Sequence, residues 1–235
     1  MTFTKFSETE LIDLLWAWAA ISFAFAVVLG GGVREVGERF FEMLVLAAIT
    51  VGTAFLLHEL AHKFVAQKYG YWAEFRRFDF GLILAVILSF FGFIFAAPGA
   101  VMIAGLATKE QNGKISVAGP LTNIILAGLF LLLGTFLARF DLFTPLLQSI
   151  VGFGIMINAW LALFNMIPFP PLDGSKVISW SVHAWIGIVG VAVFILFVLL
   201  ILFFSWWSKQ VILLFCFLRC LRREAPRSPV APVKR

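Results

Sequence analysis

The chain has 235 residues, of which 62% are hydrophobic and 13% charged, with a mean hydropathy of +1.01 and a formal net charge of +5. These fractions exclude an ordinary soluble globular domain and predict a polytopic membrane protein. Much of the positive charge follows Ser208, in a tail where solvation or contact with lipid headgroups is a better explanation than a nucleic-acid partner.

Membrane-spanning helices are predicted from the length of the apolar stretches. A helix needs about 20 mostly apolar residues to cross the hydrocarbon of a bilayer. The stretches that meet this requirement are Leu11–Leu29, Met43–Ala66, Val117–Ala138, Phe143–Ile167 and Trp185–Phe204. Basic residues follow the second stretch at once, so the positive-inside rule places its C-terminal end in the cytoplasm.

The stretch Gly81–Gly105 is also apolar, but Gly92, Pro98 and Gly99 interrupt it. Lys109 follows shortly, which indicates that the chain returns to the side from which it came. We therefore predict a re-entrant hairpin of helix and strand, with one additional crossing as the alternative.

The predicted fold class is an all-α polytopic membrane protein, a bundle of about five to six transmembrane helices with this strand-containing hairpin. Residues 1–235 are predicted to form one membrane-embedded domain, with a core at 43–176 and a basic tail at 209–235.

A histidine pair lies within the second apolar stretch, in the residues FLLHELAHKFV. His58 and His62 are four residues apart, so on a helix their imidazoles face the same way and can chelate one zinc ion. Glu59 is placed to reach water at such a metal, as in HExxH hydrolases. Hydrogen bonds to neighbouring helices are the alternative explanation, but ionisable groups at membrane depth usually mark function.

A third ligand is predicted at Asp173, in the sequence FNMIPFPPLDGSK. The prolines of this sequence must interrupt the helix, and a carboxylate at such a break is costly in a membrane unless it binds a cation. Glu74 and Asp79 are weaker candidates because they would have to fold back from a basic loop.

Two sequence signatures together resemble those of the site-2 protease family of intramembrane zinc metalloproteases. The first is HELAH, and the second has the pattern N-x-x-P-x-P-x-x-D-G, which is met by Asn165, Pro168, Pro170, Asp173 and Gly174. Between them, AGPLTN (Ala118–Asn123) looks like the glycine-proline helix start of that family. The resemblance covers about half of the chain, from Phe55 to Lys176.

The resemblance implies one zinc ion per chain, held by His58, His62 and Asp173, with Glu59 as general base. The substrate would be a membrane-embedded helix of another protein, cut within or near the bilayer, and the hairpin would present an edge strand to it. Asn165 is the candidate for stabilising the oxyanion or docking the substrate, although a helix–helix hydrogen bond explains it equally well.

Three further polar residues are assigned structural roles. Asn158 is interpreted as a hydrogen-bonding residue of the bundle, Lys176 as a side chain that extends to the surface, and His183 as structural.

Two other functions are compatible with the same residues. A membrane metal-ion transporter also places His and Asp at membrane depth, and an inactive protease relative could bind membrane partners. We favour the protease, in the cell membrane as a multi-pass protein with its active site near the cytoplasmic side. Its partners would be transmembrane protein substrates and the lipid bilayer, with no nucleic acid.

Overall fold

A computed structural model of the chain describes residues 6–31, 39–94 and 97–201. The chain divides into two compact units, Met1–Leu196 and Phe197–Arg235, and the second is described only as far as Ile201. The predicted basic tail at 209–235 lies outside the described residues. The domain boundaries of the core and the tail therefore stay predictions.

The described part of the chain is mostly helical, with one pair of short strands. In chain order the elements are α1 (Glu8–Leu29), α2 (Phe40–Ala47), a π-helical turn (Ala48–Gly52), α3 (Thr53–Lys68), β1 (Trp72–Arg77), α4 (Asp79–Ser89), β2 (Gly99–Ala104), α5 (Lys109–Arg139), α6 (Pro145–Asn165), α7 (Asp173–Trp180) and α8 (Val182–Ile201).

Five helices of the described residues are long and apolar enough to cross a membrane. They are α1, the continuous run Phe40–Lys68 that includes α2 and α3, then α5, α6 and α8. The predicted fold class is confirmed, and the chain is a multi-pass membrane protein.

Helix α5 begins earlier than the sequence indicated, at Lys109 instead of Val117. Thr108 accepts a hydrogen bond from the backbone of Gln111 while the Gln111 side chain accepts one from the backbone of Thr108, and this capping box starts the helix. The interpretation of Ala118–Asn123 as a helix start is therefore wrong. Pro120 lies inside α5, where it removes one backbone donor without ending the helix.

The stretch after β1 forms the helix-and-strand hairpin that the sequence predicted. Helix α4 leads away from β1, and β2 returns to pair with β1 in antiparallel register, from Trp72 opposite Ala104 to Arg77 opposite Gly99. The chain therefore comes back to the side that it left. Strand β1 was not predicted, although its buried Ala73 and Phe75 alternate with more exposed residues, as on a half-buried strand.

An apolar core cluster of the described residues joins these strands to the helices around them. Leu14 and Ile21 of α1 pack with Val51 of the π-helical turn, with Phe75 of β1 and with Ile157 of α6. The π-helical turn directly precedes α3, and such turns are frequent near functional sites. Helix α3, which carries the histidine pair, thus begins in the packed centre of the molecule.

Candidate metal centre

The structure brings His58, His62 and Asp173 together. His58 and His62 lie one turn apart on α3, and their Nε2 atoms are 3.3 Å and 3.1 Å from Oδ2 of Asp173. All three side chains are buried. One nitrogen or oxygen atom from each residue lies within 4.8 Å of the others, so the group could bind a metal ion.

Asp173 reaches the histidines because the chain folds back sharply after α6. A Cβ atom on Gly174 would lie 2.2 Å from the carbonyl oxygen of Met166, so the glycine permits a backbone contact that a side chain would block. Nε1 of Trp185 donates to the same carbonyl at 2.6 Å. The aspartate and the glycine of the second signature therefore have separate tasks, and the glycine allows the turn that brings Asp173 inward.

Hydrogen bonds to the backbone and to an amide determine which ring nitrogens face Asp173. Nδ1 of His62 donates to the carbonyl oxygen of Ile115 at 2.8 Å, and a carbonyl can only accept. Nδ1 of His58 donates to Oδ1 of Asn123 at 2.6 Å. Both Nδ1 atoms carry their protons, so in the neutral rings both Nε2 atoms present free lone pairs.

Asn123 is oriented by its own partners. Its Nδ2 donates to the carbonyl oxygen of Ala54 at 3.2 Å and to Oδ1 of Asn158 at 2.9 Å. Nδ2 of Asn158 in turn donates to the carbonyl oxygen of Gly154 at 2.9 Å. These bonds leave the Asn123 oxygen to face His58. The sequence interpretation of Asn158 as a bundle residue agrees with these contacts, whereas the part played by Asn123 was missed.

The donor set fits a zinc ion. The two Nε2 lone pairs and the carboxylate oxygen repel one another at these distances unless a proton or a cation lies between them. Two imidazoles with one carboxylate are a frequent ligand set of catalytic zinc. A Cβ atom on Gly119 of α5 would lie 2.5 Å from both Nε2 atoms, so this glycine keeps space open beside them.

A cavity of about 230 Å³ opens beside the three side chains. It is lined by residues of α3, β2 and α5, by the end of α6, by the segment that follows it and by α7: His58, Glu59, His62, Ala100, Val101, Ile103, Asn112, Ile115, Ser116, Asn165, Pro171, Leu172, Asp173 and Lys176. Oε2 of Glu59 accepts a hydrogen bond from the backbone N–H of Val101 at 3.1 Å. The carboxylate of Glu59 is thus held beside the cavity by strand β2.

Asn165 of the second signature and Lys176, which follows the signature, also line the cavity. Nδ2 of Asn165 donates to the carbonyl oxygen of Leu161 at 3.0 Å, which is a bond within its own helix and not one between helices. Lys176 is exposed at the cavity, and His183 is exposed at the start of α8.

The two weaker ligand candidates lie among basic residues. Glu74 pairs with Arg76 and also accepts a hydrogen bond from Ser7. Asp79 pairs with Arg77 at 2.6 Å. Both carboxylates are therefore matched by positive charges of strand β1.

Comparisons with known proteins place the chain among zinc metalloproteases. No protein-family model matches it. It is 45% identical over 196 residues, covering 81% of the chain and 93% of the relative, to "Putative zinc metalloprotease MJ0611" of Methanocaldococcus jannaschii. It is 34% identical over 148 residues, 56% of the chain and 66% of the relative, to "Putative zinc metalloprotease YwhC" of Bacillus subtilis.

A solved structure, "Site-2 Protease from Methanocaldococcus jannaschii", aligns over 92% of each chain with a TM-score of 0.41 and 20% identity. The sequence relationship to MJ0611 extends over most of both proteins, and HELAH and Asp173, which mark the resemblance, meet in one site. The chain belongs to the site-2 protease family of zinc metalloproteases.

Proposed function

We propose that this protein is an intramembrane protease that hydrolyses peptide bonds in transmembrane or membrane-proximal segments of other proteins. The observation that carries the proposal is the convergence of His58, His62 and Asp173 beside Glu59, in a cavity formed by candidate membrane helices and one strand. His58, His62 and Asp173 would hold one zinc ion. When bound there, zinc would lower the pKa of water and polarise the substrate carbonyl.

Glu59 is the general base of the proposed reaction. Its carboxylate takes a proton from the water that attacks the carbonyl carbon, and the protonated carboxyl then gives that proton to the leaving nitrogen. The hydrogen bond from Val101 orients the carboxylate along the cavity. Glu59 is separate from the three metal-ligating side chains, and this favours hydrolysis over metal transport.

Strand β2 is the proposed docking edge for the substrate. It pairs with β1 on one side, while Ala100, Val101 and Ile103 line the cavity, and within the described residues no third strand joins the sheet. An α-helix hides its peptide groups in internal hydrogen bonds, so a substrate helix must unwind locally before it is cut. An unpaired strand edge supplies replacement hydrogen bonds.

Two further features complete the proposal: a second N–H donor on the Asn165 amide, and the side of the membrane on which the cavity lies. Asn amides carry two N–H donors, and only one of those of Asn165 is used by Leu161, so the other can serve the oxyanion or the substrate. We place the cavity near the cytoplasmic side because Lys68 ends α3 and Arg76 and Arg77 follow it. Lys63 is buried and paired, so it is not a free charge at the surface.

The decisive experiment compares the wild-type protein with Glu59→Gln. Both are purified in detergent, and zinc per chain is measured together with cleavage of a transmembrane substrate. We expect equal zinc in both proteins, with cleavage at least about 100-fold slower in Glu59→Gln. Glu110→Gln, an exposed substitution of the same kind on α5, serves as the control. Undiminished cleavage by Glu59→Gln would refute the proposed mechanism, and zinc uptake into vesicles reconstituted with the wild-type protein, without hydrolysis, would identify a transporter.

A further inference from the structure

A buried ion pair lies next to the candidate metal centre, outside the set of residues that the proposed reaction uses. Lys63 directly follows His62 on α3, and its Nζ binds Oε2 of Glu10 on α1. The side chains of both residues are fully buried. Nζ of Lys63 also lies 3.8 Å from the centre of the Phe6 ring.

The second oxygen of Glu10 binds the strand pair. Oε1 of Glu10 accepts a hydrogen bond from the backbone N–H of Phe75 at 2.9 Å. Phe75 of β1 is directly opposite Val101 of β2. The N–H of Val101 donates to Glu59, so both amides of this residue pair point away from the other strand.

The strand pair is therefore held on both outer edges by carboxylates that are connected to α3. On the β2 edge the carboxylate belongs to Glu59, which is itself on α3, and on the β1 edge it belongs to Glu10, which is bound to Lys63 of α3. Glu59 and Lys63 are four residues apart and therefore lie on the same face of α3. Glu59 binds β2 directly, and Lys63 binds β1 through Glu10, at the same pair of opposite residues.

Stability alone is a weak explanation for this pair. Removing two charges from water is costly, and hydrophobic residues of similar size often stabilise a protein as well or better. The Glu10 carboxylate does something that a hydrophobic pair cannot do, because it accepts from Lys63 and from the backbone of β1 at the same time.

We propose that Glu10 and Lys63 are positioning residues, which fix the strand pair at the height where a substrate strand on β2 meets the metal ligands of α3. This inference rests on the proposed function for its activity readout. A displacement of about 1 Å at a reacting centre can reduce the rate about 100-fold. Glu10 and Lys63 would thus govern turnover without touching the substrate.

Two double variants separate positioning from charge and packing. Glu10→Gln with Lys63→Gln removes both charges but keeps an oxygen that can accept from Phe75. Glu10→Met with Lys63→Met removes both charges and the acceptor while keeping a similar volume. We expect both variants to bind one zinc ion per chain, with kcat at least tenfold lower in the methionine pair than in the glutamine pair. Glu8→Gln, an exposed substitution on the same helix, is the control.

Amide hydrogen exchange gives a second readout that does not depend on activity. Exchange in the segment Trp72–Arg77 should be faster in the methionine pair than in the glutamine pair, while exchange in α5 is the same in both. Equal kcat and equal exchange in the two zinc-bound variants would overturn the inference. A merely structural role predicts a lower melting temperature and faster exchange throughout the protein instead.

The wild-type protein alone also tests the inference, should the methionine pair fail to fold. The Phe75 amide has no partner in β2 and donates to Oε1 of Glu10, so this hydrogen bond predicts slow exchange at Phe75 in the wild-type protein. Exchange at Phe75 as fast as at Leu106, which is 98% exposed, would overturn the inference. A wild-type protein that fails to cleave any substrate would instead contradict the proposed function, and the exchange measurements would still decide on the positioning of the strands.

Discussion

Nδ1 of His58 donates to Oδ1 of Asn123 at 2.6 Å, and this contact turns Nε2 of the same ring toward Asp173. The two partners belong to different candidate membrane helices, α3 and α5. The orientation of the first histidine is thus set by a residue outside both signatures.

Replacing Asn123 by leucine should weaken zinc binding. The substitution removes the acceptor of the His58 proton, so the ring loses its fixed orientation, and changes of this kind typically reduce metal affinity or activity about 10- to 100-fold. Competition with a fluorescent zinc chelator measures the affinity. Asn123→Asp keeps an acceptor and should bind zinc more tightly than Asn123→Leu, whereas equal zinc affinity in all three proteins would contradict this account of His58.

Adding a methyl group to Gly119 should disturb both histidines. Its Cβ would lie 2.5 Å from both Nε2 atoms, so the rings must move or α5 must shift. We expect Gly119→Ala to lower zinc affinity and cleavage at least about tenfold. Gly128→Ala is the matched control on the same helix, because no atom lies within 4 Å of its added Cβ. Similar zinc affinity in the two variants would show that the space at Gly119 is unimportant.

Gly174→Ala should destabilise the turn that carries Asp173. The added Cβ would meet the carbonyl oxygen of Met166 at 2.2 Å, and overpacking of this kind costs about 1 to 3 kcal/mol. The melting temperature reports the loss of stability, and zinc content reports the displacement of Asp173. Both quantities should be lower in Gly174→Ala than in the wild-type protein. Gly187→Ala on α8 has open space around its Cβ and should leave both unchanged. A normal melting temperature with full zinc would argue against this role of Gly174.

The proposed docking edge of β2 is tested by removing one backbone N–H donor from it with a proline substitution. Ile103 is opposite Ala73, two residues from the outward-facing pair Phe75 and Val101, so its N–H also faces the free edge. Proline is tolerated on such an edge. Ile103→Pro should lower kcat/KM for a transmembrane substrate about fivefold to tenfold relative to Ile103→Ala, because one hydrogen bond is worth about 1 kcal/mol. Equal values for the two variants would exclude strand addition at this position.

The parts of the fold that depend on local pattern could be predicted from the sequence. Apolar length located the candidate membrane helices, and the spacing of His58 and His62 predicted that they share a helix face. The prolines and Asp173 after α6 indicated a break with a carboxylate, which the structure brings to the histidines. These features can be predicted because they depend only on residues that are close in the sequence and on the energetic cost of placing polar groups in lipid.

Long-range partnerships were not predictable in the same way. The bond from His58 to Asn123 joins residues of two helices, and neither residue alone indicates the other. Glu10 was placed outside the first span because an apolar count begins at Leu11, yet it lies buried in α1. A buried carboxylate near the end of a membrane helix needs a partner. That partner is Lys63, a lysine within the second predicted span, and no local pattern connects it to Glu10.

The central claim is that His58, His62 and Asp173 together hold one zinc ion. X-ray absorption at the zinc edge, combined with metal content per chain, tests it most directly. We predict one zinc per wild-type chain with imidazole nitrogen and oxygen neighbours at about 2.0 to 2.2 Å, and loss of the metal in Asp173→Ala. A sulfur neighbour at about 2.3 Å, or full zinc content in a His58→Ala and Asp173→Ala double variant, would contradict it.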